Sequence, residues 1–311
     1  MTNLAIVSMV RNECDIIELF IKINSRHAKM MVVVDHMSDD GTSSILEKMS
    51  HSVANLRVLK YDNPSFQQSQ VMTQIVQQLA HEGIVDYIVP LDADEFLAST
   101  QPEFDLIKAI PSLMSVNQVG LIPWQTYCPV SIDYFDQKAP LFTGFKKRSK
   151  EPVIFSKLII GREYAKKCTI SEGNHIAYGE GLEFKPIQMP FSIQHVPVRT
   201  VEQIISKAII GSYQLVVKEN RRNGEGFHWD VIAKFIRDKN YLLSIDDLQS
   251  LALNYGQESK TDDELFVDLD SPSIGTAQDA IDFLDFARPN SLRALDRYIN
   301  LMLRTFGSKK G

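Results

Sequence analysis

Two aspartates spaced i, i+2 at the end of an apolar run are the clearest chemical feature of the sequence. In Tyr87-Ile88-Val89-Pro90-Leu91-Asp92-Ala93-Asp94-Glu95-Phe96, a stretch of strand character delivers three carboxylates to its carboxyl end. An open α/β sheet places its ligand crevice at that end. Residues i and i+2 of an extended chain point the same way, so Asp92 and Asp94 can share one divalent cation or one cation-bound diphosphate. Carboxylate oxygens favour a hard metal, Mg²⁺ or Mn²⁺. The competing reading is a turn capped by Asp92, with the other charges solvated.

The elements that would position this cluster alternate in type. Leu4 to Val10 is a short apolar run closed by Arg11-Asn12-Glu13 and reads as a buried parallel strand. Asp15 to His27 carries Ile16, Leu19, Phe20 and Ile23 at helical spacing, with Asn12 or Asp15 as the expected cap. Met30 to Val34 is a second strand, closed by turn chemistry from Asp35 to Thr42, and Thr42 or Ser43 starts the next helix. Leu56 to Tyr61 is a third strand, and Gln67 to His81 a helix that Gly83 stops. A fourth strand leads into Asp92. This alternation predicts a doubly wound parallel sheet with right-handed crossovers.

Beyond Phe96 the rhythm changes. Val119 to Tyr127, Ser156 to Gly161, Lys167 to Ile170 and Phe191 to Val196 read as strands of a sheet continuing in mixed orientation. Pro129 to Lys150 is long, polar and aromatic without periodicity, a binding-loop signature. Helical patterns begin at Val201 and recur at His228 to Lys239, Asp246 to Asn254, Ala277 to Phe286 and Ser291 to Phe306. The expected organisation is a catalytic α/β domain over 1–200 and a helical carboxyl-terminal extension over 201–311 packed on it.

Composition narrows the class. Over 311 residues, 44% hydrophobic and 23% charged residues describe a globular chain, neither disordered nor membrane-embedded. A net charge of -6 argues against a general nucleic-acid binder, so any anionic ligand must be held locally. Cys14, Cys128 and Cys168 are odd in number and lack zinc or disulfide spacing, which fits a reducing compartment. The opening residues MTNLAIVSMVRNE have no basic segment before a short apolar run, so a cytoplasmic protein is expected.

Three blocks together resemble the family 2 glycosyltransferases of GT-A fold, a Rossmann-like, mainly parallel sheet flanked by helices. They are Val10-Arg11-Asn12-Glu13, Val34-Asp35-His36-Met37-Ser38-Asp39-Asp40-Gly41-Thr42 and Leu91-Asp92-Ala93-Asp94-Glu95-Phe96. The Asp-Glu-Phe ending is similar to a bacterial subgroup related to the family 92 glycosyltransferases. A fourth block resembles the same subgroup: Gln194-His195-Val196-Pro197-Val198-Arg199-Thr200, with Glu202 and Lys207 following. The likeness covers roughly residues 4 to 211, and His36 departs from it, since many members carry an aspartate there.

The resemblance implies an enzyme that moves a sugar from a nucleotide-diphosphate sugar, with UDP-sugars as the expected donor class and Mn²⁺ or Mg²⁺ as cofactor. Arg11, Asn12 and Asp35 would meet the nucleotide. Asp94 and His195 would hold the metal, Asp92 the metal or the ribose, and Lys207 the diphosphate. Arg199 is a second diphosphate candidate, although a solvated helix-flank charge is the simpler reading. An inverting reaction also needs a general base. Asp133, Asp136, Glu172 and Glu180 lie in polar segments; Asp133 and Glu172 are the leading candidates, and Glu172 or His175 would border the sugar. Trp124, Tyr127 and Tyr134 are positioned to stack on an acceptor ring or to fill core.

The implied partners are the nucleotide sugar and a glycan or lipid-linked glycan acceptor of surface polysaccharide or lipopolysaccharide synthesis. The stripe Leu292, Leu295, Tyr298, Ile299, Met302 and Leu303, flanked by Arg293, Arg297, Arg304, Lys309 and Lys310, would allow peripheral contact with the inner face of a membrane. Packing on the core is the alternative for that helix. Two other functions compete: a phosphohydrolase or nucleotidyltransferase using Asp92 and Asp94, and a non-catalytic sugar-nucleotide module. Phe96 does not suit the haloacid dehalogenase pattern, and no GxxxxGK[ST] loop is present.

Overall fold

The computed structural model describes residues 2–63, 67–97, 105–129, 147–149, 155–216, 226–253, 255, 266–268, 299 and 302. The chain opens with β1 (Leu4–Val10), α1 (Ile17–Asn24), β2 (Met30–Asp35), α2 (Thr42–Ser52), β3 (Leu56–Lys60), α3 (Gln68–Glu82) and β4 (Tyr87–Pro90). All seven residues of β1 are buried, as a strand covered on both faces requires. β2 and β4 flank β1 in parallel, and β3 extends the sheet beyond β2. α3 stops at Gly83, whose φ of 70° is the left-handed cap that glycine adopts without a Cβ penalty.

The second half turns the sheet mixed. β5 (Glu95–Leu97), α4 (Leu106–Leu113), β6 (Val119–Cys128), β7 (Lys147–Ser149), β8 (Ser156–Gly161), α5 (Arg162–Ala165), β9 (Thr169–Ile170), β10 (Ala177–Tyr178), β11 (Ile187–Gln188) and β12 (Ile193–His195) follow in order. β8 runs antiparallel between β4 and β6. β12 pairs antiparallel with β5 and parallel with β6, which sets His195 opposite Glu95. The helices α6 (Val201–Val216), α7 (Phe227–Asp238) and α8 (Ile245–Leu253) come next, then β13 (Phe266–Asp268) on the β7 edge. The fold is α/β, a mixed, mainly parallel sheet flanked by helices.

Two apolar clusters fill the faces of the sheet, one with α1 and α2 and the other with α3 and α5. A third joins Cys128 and Val198 to apolar residues of α6, α7 and α8. Capping of α1 differs from expectation: it starts after Ile16 with no side-chain cap. Asp15 is taken by an arginine instead, and Asn12, at φ 57°, accepts from the Asp39 N–H at 2.9 Å. The patterns at Ala277 to Phe286 and Ser291 to Phe306 lie essentially outside the described residues. Among the described residues no helix is long and apolar enough to cross a membrane.

Candidate active site

The turns after β1 and β2 are stitched together at the carboxyl edge of the sheet. The Asn12 N–H donates to Ser38 Oγ at 3.0 Å, Glu13 N–H to Thr42 Oγ1 at 2.9 Å and Cys14 N–H to Asp40 Oδ2 at 3.1 Å. Asp40 also receives the Thr42 N–H at 3.0 Å, holding the start of α2. These bonds explain why so polar a sequence is buried here: each side chain satisfies backbone donors that strand and helix leave over. Asp35 is spent in the same way, accepting from Ser38 N–H at 3.1 Å and from the Ser43 hydroxyl. It is not among the residues lining the cavity that opens at this edge.

That cavity holds about 450 Å³ and is lined by Arg11, Asn12, Glu13, Asp92, Asp94 and His195 on the sheet side, and by Lys207, Trp229 and Tyr255 on the helical side. Volumes of this size suit small-molecule ligands. Asp94 is buried at the centre. Its Oδ2 accepts from Lys207 Nζ at 2.7 Å and stands 3.8 Å from an Arg199 nitrogen. Burial alone would raise its pKa; the Lys207 ammonium and the Arg199 guanidinium outweigh that and hold the carboxylate well below the usual range. Lys207 also reaches Glu13 at 3.2 Å, and its ammonium is held charged against burial by the two carboxylates.

Arg199 is fully buried, contrary to the solvated reading. It donates to Asp15 at 2.6 and 3.0 Å and to Glu13 at 2.6 Å. This fork ties α1 to the approach of α6, and the loss of water is offset only because both carboxylates are close and well aligned. Asp92, at the rim, is held by Lys157 Nζ on Oδ2 at 2.6 Å and by Gln68 Nε2 on Oδ1 at 3.1 Å. Lys157 was not foreseen from the sequence. It is fully buried, 3.3 Å from Glu95 and 5.4 Å above the Trp124 ring. Burial raises the Glu95 pKa well above normal, with Lys157 opposing. A lysine alternating with Leu158 and Ile160 in an apolar strand was the available signal: it faces the other way from them.

His195 lies stacked on Trp124, with centroids 4.2 Å apart. Burial lowers its pKa to about 3, so the ring is neutral. Its Nδ1 is buried with no hydrogen-bond partner among the described residues, and its Nε2 stands 3.9 Å from Asp94 Oδ1, beyond hydrogen-bond range. A neutral imidazole beside a carboxylate oxygen would suit two positions of a divalent ion such as Mn²⁺, with phosphate and water supplying the rest; Mg²⁺, which favours oxygen donors, would rely on the carboxylate alone. Among the described residues there is no ready-made group of three or more such ligands. Glu172 lines the cavity, while Asp133 and Asp136 lie outside the described residues and Glu180 is exposed away from it. Trp124 lines the cavity, Tyr127 is core, and Tyr134 lies outside the described residues.

No family model and no curated protein matches the chain. Solved structures show weak likenesses. Glucosyl-3-phosphoglycerate synthase from Mycobacterium tuberculosis, solved with Mn²⁺, UDP and phosphoglyceric acid, is 15% identical with a TM-score of 0.30 over 52% of this chain; the chain spans 56% of its length. Mannosyl-3-phosphoglycerate synthase from Rubrobacter xylanophilus is 13% identical, TM-score 0.38, over 78% of this chain and 76% of that one. A cytidylyltransferase from Leptospira borgpetersenii serovar Hardjo-bovis is 13% identical, TM-score 0.38, over 80% and 98%. Scores this low carry no argument about activity, which rests on the site itself.

Proposed function

We propose that the chain is a metal-assisted glycosyltransferase moving a hexosyl group from a nucleotide-diphosphate sugar, with UDP-sugars as the first choice, to a hydroxyl of a glycan or lipid-linked glycan. The observation that carries this reading is the convergence on one cavity of the Arg11-Asn12-Glu13 turn, the buried Asp94 and the Lys207 ammonium. Arg11 and Asn12 would receive the nucleotide. Lys207, bound to Asp94 and Glu13 yet partly open to solvent, is a cation available to a diphosphate. Arg199 is fixed in its carboxylate fork and orients Asp15 and Glu13.

Asp94 and His195 are the pair that would hold Mn²⁺ or Mg²⁺; when bound, such an ion neutralises charge developing on the departing diphosphate. Asp92, fixed by Lys157 and Gln68, would face the ribose or a metal-bound water. The subgroup resemblance supports surface polysaccharide or lipopolysaccharide assembly on the cytoplasmic side as the setting. The test is UDP release from a panel of UDP-hexoses with Mn²⁺ and methyl glycosides. The expected result is acceptor-dependent UDP release that EDTA abolishes. Release of orthophosphate instead, independent of acceptor, would assign the Asp92 cluster to a phosphohydrolase.

A further inference from the structure

Glycosyl transfer with inversion needs a group that takes the proton of the attacking hydroxyl, and the turn from Ser171 to His175 carries one of defined tautomer. His175 Nδ1 lies 2.9 Å from the Ser156 carbonyl oxygen. A carbonyl only accepts, so Nδ1 holds the hydrogen and donates it, and the neutral ring keeps its lone pair on Nε2. The ring is fixed edge-on to Trp124, with centroids 5.2 Å apart, and tilted against Phe155 at 5.4 Å. His175 lines the same cavity as Asp92 and Asp94 and is half-buried there.

The turn is bolted to the carboxylate end of β4. The Gly173 N–H donates to Gln68 Oε1 at 2.9 Å, and the same Gln68 amide donates to Asp92. Lys157 Nζ reaches Asp92 at 2.6 Å and the Gly173 carbonyl at 2.8 Å. Gly173 has φ 75°, and a Cβ there would stand 2.8 Å from both Cδ2 and Nε2 of His175. Glycine is what lets the imidazole lie across the turn. Burial, with help from Lys157, lowers the His175 pKa to about 4, while the Ser156 carbonyl and Asp92 act in the opposite sense.

We propose that His175 Nε2 is the proton acceptor of the transfer reaction, an inference that rests on the transferase reading above. As the acceptor oxygen bonds to the anomeric carbon, its proton passes to Nε2. The bond from that carbon to the diphosphate oxygen breaks, and its electron pair leaves on the nucleoside diphosphate. The product has inverted anomeric configuration, and the imidazolium returns its proton to solvent. The charged and titratable neighbours are Lys157 on β8, Asp92 after β4 and His228 on α7, with Glu172 on the same turn lining the cavity.

The experiment uses the full chain with Mn²⁺, UDP-hexoses and methyl glycosides. His175→Gln is expected to lower kcat about 10²- to 10⁴-fold, the scale of general-base loss, while calorimetric UDP affinity stays within about threefold. Added imidazole is expected to restore part of the rate of His175→Gly. Long-range ¹H–¹⁵N spectra of the unmodified protein are expected to show the His175 proton on Nδ1. A proton on Nε2, a His175→Gln rate within about threefold of the parent, a loss carried by Glu172→Gln instead, or retained anomeric configuration would overturn the assignment. If Mn²⁺ and UDP do not bind the parent protein, the transferase reading falls; if they bind and His175→Gln turns over normally, only this inference falls.

Discussion

Buried charge dominates the site at the residue scale. Lys157 is the sole cation within ion-pair reach of Glu95 among the described residues and is also bonded to Asp92. Lys157→Met is therefore expected to destabilise the fold by about 3–5 kcal/mol, the cost of stranding a buried carboxylate, unless Glu95 takes up a proton, in which case the loss shrinks at low pH. Urea denaturation at pH 5 and pH 8 distinguishes the two. Arg199→Met strands Asp15 and leaves Glu13 to Lys207 alone, and a loss of similar size, about 3–5 kcal/mol, is expected in the same measurement. Had Arg199 been a solvated flank charge, as its place before a helix suggested, the change would cost under about 0.5 kcal/mol.

At the scale of elements, α6 and α7 form the helical wall of the cavity, and they touch where Gly211 admits Trp229. A Cβ at Gly211 would stand 2.7 to 3.0 Å from the indole, so Gly211→Ala must push α7 outward. The overpacking cost of about 1–3 kcal/mol exceeds the alanine gain in helix propensity of about 1 kcal/mol. Trp124 and Trp229 are the only tryptophans and both line the cavity, so a red-shifted emission with lower thermal stability is the expected readout. Most elements were legible in the sequence because apolar runs and 3.6-residue periodicity are local signals: β1, β2, β3 and α3 fall within a residue or two of expectation, and α6 starts at Val201 as expected. The partners of their polar ends were not. Asp15 pairs with a residue 184 positions away and Asp92 with one 65 away, and no spacing rule reports such contacts. Hence Asn12 and Asp15 were read as caps, and Lys157 and Gln68 were missed.

Across the whole molecule, the histidines of the cavity are kept neutral. Burial holds His36 and His228 near 4 and His195 near 3, all below the unfolded value. A depressed histidine contributes stability that is fully present above about pH 6.5 and is lost as pH falls toward the folded value, because the unfolded chain binds protons that the native state refuses. For the nearly inaccessible His36 and His195 the loss is about 1.4 kcal/mol per pH unit each between pH 6.5 and 4, opposed by proton uptake at Glu95, whose pKa burial raises. Urea midpoints of the parent are therefore expected to fall more steeply over that window than those of His36→Gln, which keeps Glu95. Parallel profiles would mean that the His36 ring is solvated. Asp94 acts with the same sign at lower pH, since its depressed pKa stabilises the fold above the ordinary carboxylate range. The central claim is that this buried charge centre receives a metal-bound nucleoside diphosphate. Calorimetric titration of UDP with Mn²⁺, with EDTA in its place, and on Asp94→Asn tests it most directly. The expected result is binding that requires Mn²⁺ and weakens about 10- to 100-fold in the variant, the scale of one charge-assisted contact. UDP binding that ignores both EDTA and Asp94→Asn, or no binding of UDP at all, would contradict the account.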